Sequence, residues 1–186
     1  MAKKLGIEEA VEIAMEGELK AQAFYAQAAL EIQDPAGRDL LGRLAAFEQH
    51  HYQKLAELAR SLQQDGKFIA YESRTLEQFE PSAGAGLVAA GSPRPYRPSP
   101  IAGGEAAGSL LDQLRDVPGI LSKAIENEKL AGARYQVLAE ETNDPDGQGM
   151  FKKLAGEERL HERILGDEFF SLSNRGVWGW SGMYGD

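Results

Sequence analysis

Apolar residues recur at alternating intervals of three and four positions in four stretches of the chain. In the second stretch this spacing runs through Leu41, Leu44, Leu55, Leu58 and Leu62. The spacing is typical of a helix that turns one face towards a core. Glu48 and His51 fall in the same stripe, three residues apart, and are therefore predicted on the buried face. Because a buried, unpaired carboxylate is very costly, Glu48 at this position needs a partner.

The stripes predict four helices, over 6–33, 38–64, 117–143 and 148–172. Short Asp-Pro turns, which begin at Asp34 and Asp144, are expected to separate the helices of each pair. Turns this short make the two helices antiparallel neighbours. The sequence therefore predicts an all-α protein, a four-helix bundle built from two helical hairpins, 6–64 and 117–172.

The long connection between the hairpins, 65–116, contains five of the eight prolines and is predicted to cross over along the bundle. Short helical pieces are expected near 72–80 and 108–115, with Asp116 capping the third helix. The bundle domain is assigned to 1–172, and an aromatic tail to 173–186. The surplus connection and the tail tryptophans, Trp178 and Trp180, suggest a homodimer with linker and tail at its interface. A linker packed on its own bundle is an equal alternative.

The second hairpin repeats the first at a constant offset of 110 residues. The matched pairs are Glu18 and Glu128, Tyr25 and Tyr135, Asp34 and Asp144, Gly37 and Gly147, Glu48 and Glu158, His51 and His161. The repeat also indicates which of two adjacent residues is the stronger candidate for the site. Glu157 is matched by Phe47, so Glu158 is the stronger candidate, and His50 is matched by Leu160 and is left out. Each copy thus has a glutamate on one helix and Glu-x-x-His on the other.

Four glutamates and two histidines therefore lie in apolar stripes at similar heights: Glu18, Glu48, His51, Glu128, Glu158 and His161. We call these six residues the carboxylate–histidine cluster. Two divalent cations supply four positive charges against four carboxylates, with two neutral imidazoles completing the ligands. Oxygen and nitrogen donors without sulfur suit iron or manganese, and zinc less specifically. A metal-free structural bundle is the alternative, and the cost of burying the carboxylates weighs against it.

Composition narrows the possible functions. The 186 residues are enough for one domain, and the absence of cysteine excludes disulfides, zinc–thiolate sites and iron–sulfur centres within this sequence. A net charge of −9 disfavours a nucleic-acid partner. No apolar run is long enough to span a membrane, and the first residues do not resemble a signal peptide, so a cytoplasmic location without membrane attachment is expected.

The ligand pattern resembles that of ferritin-like di-iron carboxylate proteins. Glu-x-x-Ala-x-x-Phe-Tyr from Glu18 and Glu-x-x-Ala-x-x-Arg-Tyr from Glu128 are similar to the rubrerythrin-like branch, over 6–64 and 117–172. The resemblance implies a ferritin-like bundle that binds two iron ions, with Glu48 and Glu158 bridging and one histidine per ion. It also implies that Glu18 and Glu128 are mobile ligands and that Tyr25 and Tyr135 donate hydrogen bonds to the site. These last four residues are the catalytic candidates.

Two features depart from rubrerythrins proper. A cysteine-rich rubredoxin domain is missing from the sequence, and Ala131 stands where they carry a further glutamate. The leading expectation is an oxidoreductase that reacts with hydrogen peroxide or dioxygen, protects against oxidative stress and needs an external electron donor such as a rubredoxin. The alternatives are an iron-binding protein with a ferroxidase-type site for sequestration, and a di-manganese catalase-like protein. A hydroxylase is also conceivable, but no sequence feature indicates a substrate pocket.

Overall fold

The computed structural model describes residues 6–79 and 117–180, and all regular structure within them is helical. Four long helices are α1 (Ile7–Glu31), α2 (Pro35–Asp65), α3 (Val117–Glu141) and α4 (Pro145–Arg175). Helix α1 packs against α2, α3 packs against α4, and α1 contacts α3 across the two hairpins. The predicted all-α four-helix bundle is confirmed.

Helices α2 and α4 begin three residues earlier than predicted. Asp34 and Asp144 are N-caps, and their carboxylates accept hydrogen bonds from backbone N–H groups two and three residues later. Pro35 and Pro145 each occupy the first helical position, where a missing N–H costs nothing. The Asp-Pro pairs therefore start helices, whereas the sequence pattern suggested that they only ended the preceding ones.

The hydrophobic core consists of two clusters, one towards each end of the bundle. On every helix the residues of the carboxylate–histidine cluster lie between the two. On α1, for example, Glu18 follows Met15 of one core cluster and precedes Phe24 of the other. Close packing above and below thus isolates a polar layer at mid-height of the bundle.

The repeat continues beyond the helices. Gly66 and Gly176 end α2 and α4 in the left-handed conformation, with φ of 65° and 69°. Two residues later in each half an aromatic ring turns back onto a glycine of the opposite hairpin. Trp178 covers Gly37 and Phe68 covers Gly147, so closely that a Cβ on either glycine would lie within 2.4 Å of the ring.

The tail tryptophans pack on their own bundle. Trp180 is 5% exposed and donates a hydrogen bond from Nε1 to Asp39 Oδ2 at 2.8 Å. Trp180 is thus buried within its own chain, as in the alternative of packing on the chain's own bundle. The homodimer with linker and tail at its interface stays a prediction.

The described part of the linker, 66–79, crosses α2 and α4. It contains one 3-10 turn, Leu76–Gln78, where a short helical piece was expected. The expected piece at 108–115 and the cap at Asp116 lie outside the described residues. Among the described helices, none combines the length and apolar character needed to cross a membrane.

Candidate metal centre

The structure brings all six residues of the carboxylate–histidine cluster together. They form two overlapping groups, and within each group one donor atom per residue lies within 4.8 Å of the others. The first group contains Glu18, Glu48, His51 and Glu158, and the second contains Glu48, Glu128, Glu158 and His161. Glu48 and Glu158 belong to both, so the two groups are adjacent candidate cation positions that share two carboxylates.

Both imidazoles present the same nitrogen to the carboxylates. Nδ1 of His51 lies 3.1 Å from Glu158 and 3.5 Å from both Glu18 and Glu48. Nδ1 of His161 lies 3.4 to 3.6 Å from its own set of carboxylates. In both histidines Nε2 is consequently free to interact outside the cluster.

The donor atoms are buried and short of partners. Each of the six residues is at most 3% exposed. Within the described residues, several of their polar atoms have no hydrogen-bond partner: Glu48 Oε1, both carboxylate oxygens of Glu158, and Nδ1 of His51 and His161. Buried polar atoms are normally paired, so a convergent group of unpaired acceptors fits a cation. The donor set therefore suits the metal ions that the sequence predicts.

Without a cation, bound protons neutralise part of the negative charge of the cluster. Burial, reinforced by neighbouring carboxylates, raises the pKa of Glu18 and of Glu128 well above 4.5. Burial opposes protonation of both histidines, yet the carboxylates, Glu158 for His51 and Glu128 for His161, raise the pKa of each imidazole well above 6.5. Burial works against ionisation of Glu48 and Glu158, and for Glu48 so does repulsion from Glu158. The neighbouring imidazoles, and for Glu158 above all the charge of His51, nevertheless lower the pKa of both carboxyl groups.

The two catalytic candidates Tyr25 and Tyr135 contact the cluster in a crossed arrangement. The hydroxyl of Tyr25 on α1 donates to Glu128 on α3, and that of Tyr135 on α3 donates to Glu18 on α1. Burial in the first place raises the pKa of both phenols, so both remain donors. In the sequence each tyrosine follows a glutamate of its own helix by seven residues, and this spacing did not indicate that it bonds to the glutamate of the other hairpin.

Glu157 is the residue that the sequence reasoning missed. It is 6% exposed, and its carboxylate lies 3.0 Å from Nε2 of His51. The hydroxyl of Tyr71 and the backbone N–H of Arg74 also donate to it, at 2.6 and 3.2 Å. The repeat pointed away from Glu157 because its counterpart is Phe47, and a repeat identifies only what the two halves share.

His50 lies beside the cluster but outside it. It borders a cavity of about 550 Å³ together with Lys54, Glu72 and Arg74. Burial and the nearby positive charges lower the pKa of His50 to about 4. None of the six cluster residues lines this cavity, so leaving His50 out of the predicted ligand set agrees with its position.

The fold and the cluster together define a class: a ferritin-like four-helix bundle with a buried carboxylate–histidine site between its helices. Residues 119–174, almost all of α3 and α4, match the family model described as Rubrerythrin. The predicted resemblance to rubrerythrins is thereby confirmed over these residues, and the match supports a protein of the di-iron carboxylate type. The search of curated proteins and the search of solved structures find no match.

Proposed function

We propose that this chain is a di-iron carboxylate oxidoreductase that reduces hydrogen peroxide or dioxygen. Glu18, Glu48, His51, Glu128, Glu158 and His161 would hold two iron ions, with Glu48 and Glu158 shared between them. The observation that carries the proposal is the pair of buried donor groups with two carboxylates in common. Bound iron would supply the electrons and Lewis acidity that breaking an O–O bond requires.

Burial also restricts the substrate. Because no cluster residue is more than 3% exposed, only a molecule of a few atoms can approach without a large rearrangement. Peroxide and dioxygen meet that limit, whereas an organic substrate for hydroxylation does not. In the reduction of peroxide, the O–O bond breaks, two electrons and two protons are taken up, and two water molecules leave.

The protein's own residues would position the ligands and deliver protons. Tyr25 and Tyr135 hold the outer carboxylates Glu128 and Glu18 by hydrogen bonds. Both phenols lie next to the carboxylates and keep their protons, so they are suited to orient these ligands and to relay a proton towards the site by taking up another in return. Releasing such a hydrogen bond would allow Glu18 or Glu128 to change its position.

An anaerobic assay tests the proposal. The purified protein is loaded with Fe²⁺, its metal content is measured, and peroxide consumption is followed with and without a small-molecule reductant. We expect two ions per chain and many turnovers only when the reductant is present. Glu158→Ala removes a shared ligand and should abolish both. Glu168→Gln, a buried carboxylate on the same helix outside the cluster, is the matched control and should retain both.

Other outcomes identify the alternatives. Dioxygen release from peroxide without a reductant, with manganese bound, would indicate a catalase-like site. A single round of Fe²⁺ oxidation followed by iron retention beyond two ions per chain would indicate sequestration. Failure to bind two ions would overturn the proposed function itself.

The proposal requires an external electron donor, because the cysteine-free sequence offers no iron–sulfur centre of its own. A rubredoxin-type protein has suitable chemistry. The homodimer is retained as part of the proposal, and light scattering on the intact chain measures it directly.

A further inference from the structure

The two halves of the site differ at one matched pair of positions. Glu157 on α4 contacts His51 on α2 through Nε2, at 3.0 Å. The residue that matches Glu157 in the other half is Phe47, and its ring lies 4.6 Å from that of His161, nearly perpendicular to it. Within the described residues, Nε2 of His161 has no hydrogen-bond partner. The same ring also packs against His51, at 4.9 Å. The two histidines therefore differ in the carboxylate: His51 has one at Nε2, and within the described residues His161 has no partner there.

This difference fixes the proton on His51. An ionised carboxylate can only accept hydrogen bonds, so Nε2 of His51 must carry the hydrogen when it bonds to Glu157. In the neutral imidazole the lone pair is then on Nδ1, which faces the cluster 3.1 Å from Glu158. A carboxylate on the outer nitrogen also makes a histidine a stronger donor to metal. His161 has neither advantage.

Glu157 is itself held in place. Tyr71 and the backbone of Arg74 donate to its two oxygens, and Lys153 Nζ in turn binds the carbonyl oxygen of Tyr71 at 2.5 Å. These contacts tie the segment after α2 to α4 next to His51. The carboxylate is therefore oriented before any cation arrives, which reduces the cost of ordering the ligand on binding.

We propose that Glu157 is a positioning residue that makes the two cation positions unequal, so that the position containing His51 binds its ion more tightly than the position containing His161. The inference rests on the proposed two-metal site. It adds an order of loading and names the residue responsible. Loss of such an outer carboxylate commonly weakens metal binding by about 10–100-fold.

A set of paired substitutions tests this assignment. His161→Ala leaves the His51 position intact, and His51→Ala leaves the His161 position intact. Glu157→Leu is then introduced into each background, and binding of Co²⁺ is titrated anaerobically against a competing chelator. We expect Glu157→Leu to weaken the remaining ion about 10–100-fold in the His161→Ala background. In the His51→Ala background the change should be less than about twofold, because the two sites do not share Glu157.

Two further variants separate orientation from other effects. Glu157→Gln keeps an acceptor for His51 Nε2 but loses the charge, so it should recover part of the affinity that Glu157→Leu loses. Glu168→Gln controls for removal of a buried carboxylate from α4 and should leave both affinities unchanged. Replacing Glu157 also removes the hydrogen bonds from Tyr71 and Arg74. That loss occurs equally in the His161→Ala and His51→Ala backgrounds, so it cannot account for weaker metal binding in only one of them.

The outcomes are distinct. Equal weakening in the two backgrounds, or none in the His161→Ala background, would overturn the role of Glu157 while leaving the two-metal site intact. A protein with its natural residues that binds no second ion would overturn the two-metal site, and the proposed inequality with it.

Discussion

At the scale of single residues, the crossed tyrosines connect the two hairpins by hydrogen bonds. Tyr25 and Tyr135 each reach from one hairpin to a carboxylate of the other. Both side chains are fully buried, so their hydrogen bonds to these carboxyl groups form in a low dielectric, where such bonds are strong. The crossing couples the packing of α1 on α3 to the position of the outer ligands.

Tyr25→Phe and Tyr135→Phe should each lower the free energy of unfolding by about 1–3 kcal/mol, because a buried acceptor loses its donor. Two ions should still bind, while peroxide turnover falls about 10–100-fold, since the outer carboxylate is no longer held. Denaturant unfolding, metal analysis and the reductant-dependent assay measure the three effects. Tyr52→Phe, at a buried tyrosine outside the cluster, is the control; an equal loss of turnover there would contradict the assigned role.

The metal-free protein should become more stable as the pH falls from neutral towards about pH 5. The raised pKa values of Glu18, Glu128 and both histidines mean that the folded state binds these protons more tightly than the unfolded chain does. Their contribution is present at low pH and is lost as the pH rises. The lowered pKa values of Glu48 and Glu158 act oppositely and remove stability as the pH falls below 4.5.

Melting temperatures of metal-free and metal-loaded protein across this range measure the effect. The loaded protein should lose stability on acidification, because protons compete with the ions for the same atoms. Parallel pH profiles for the two forms would contradict a shared set of binding atoms.

The cluster was predictable because each member lies on an apolar stripe and occurs twice at the same offset. Glu157 could not be found in this way, since the repeat places Phe47 at its counterpart. Its role depends on Tyr71 and Arg74, which come from a connection with no periodic pattern. A long-range contact of this kind leaves no local signal in one sequence.

At the scale of secondary-structure elements, the first residues of α2 and α4 show that apolar periodicity does not locate the start of a helix. Asp34 and Asp144 follow the apolar stripe of one helix and cap the next helix. An apolar stripe does not define the helix boundary to better than one turn. The packing of the aromatic rings that follow α2 and α4 was not predicted either. Phe68 and Trp178 match at the same offset as the ligands, but only the structure reveals that each closes over a glycine of the other hairpin.

Gly37→Ala and Gly147→Ala should each destabilise the protein by about 1–3 kcal/mol, because the new methyl group would overlap Trp178 or Phe68. Gly156→Ala is the matched control. It lies on the exposed face of α4 with no atom near its Cβ, so the same change should stabilise by about 0.5–1 kcal/mol. Thermal unfolding measures all three, and the tryptophan fluorescence, to which Trp178 contributes, should change only with Gly37→Ala. Similar changes in stability at the three glycines would contradict the close packing of Trp178 over Gly37 and of Phe68 over Gly147.

At the scale of the whole molecule, the carboxylate–histidine cluster is where all four helices meet. Each of its two donor groups takes residues from both hairpins. The all-α bundle and its hairpin pairing were predictable because short turns and helical stripes are local properties. The path of the connection was not predictable, since its proline-rich composition excludes a regular helix without indicating what it contacts.

Chelation at neutral pH should lower the melting temperature clearly. Ions present at 100 times their dissociation constant contribute about 2.7 kcal/mol per independent site, and removing them also leaves the carboxylates facing one another. Calorimetry with and without chelator measures the change. Glu158→Ala, which lacks a ligand of both positions, should melt at a temperature that chelator no longer alters. A shift of the same size in that variant would indicate that the stabilising ions bind elsewhere.

The burial of the six ligands also has a kinetic consequence. An ion with its hydration shell is larger than peroxide or dioxygen and cannot reach these buried atoms until the helices part, so uptake should proceed at the rate of an opening fluctuation of the bundle. Above a modest concentration, additional metal in solution would then no longer speed loading. The same slow gate would keep a bound ion in place long after the surrounding solution has been depleted, so the chain would retain its metal through brief periods of scarcity.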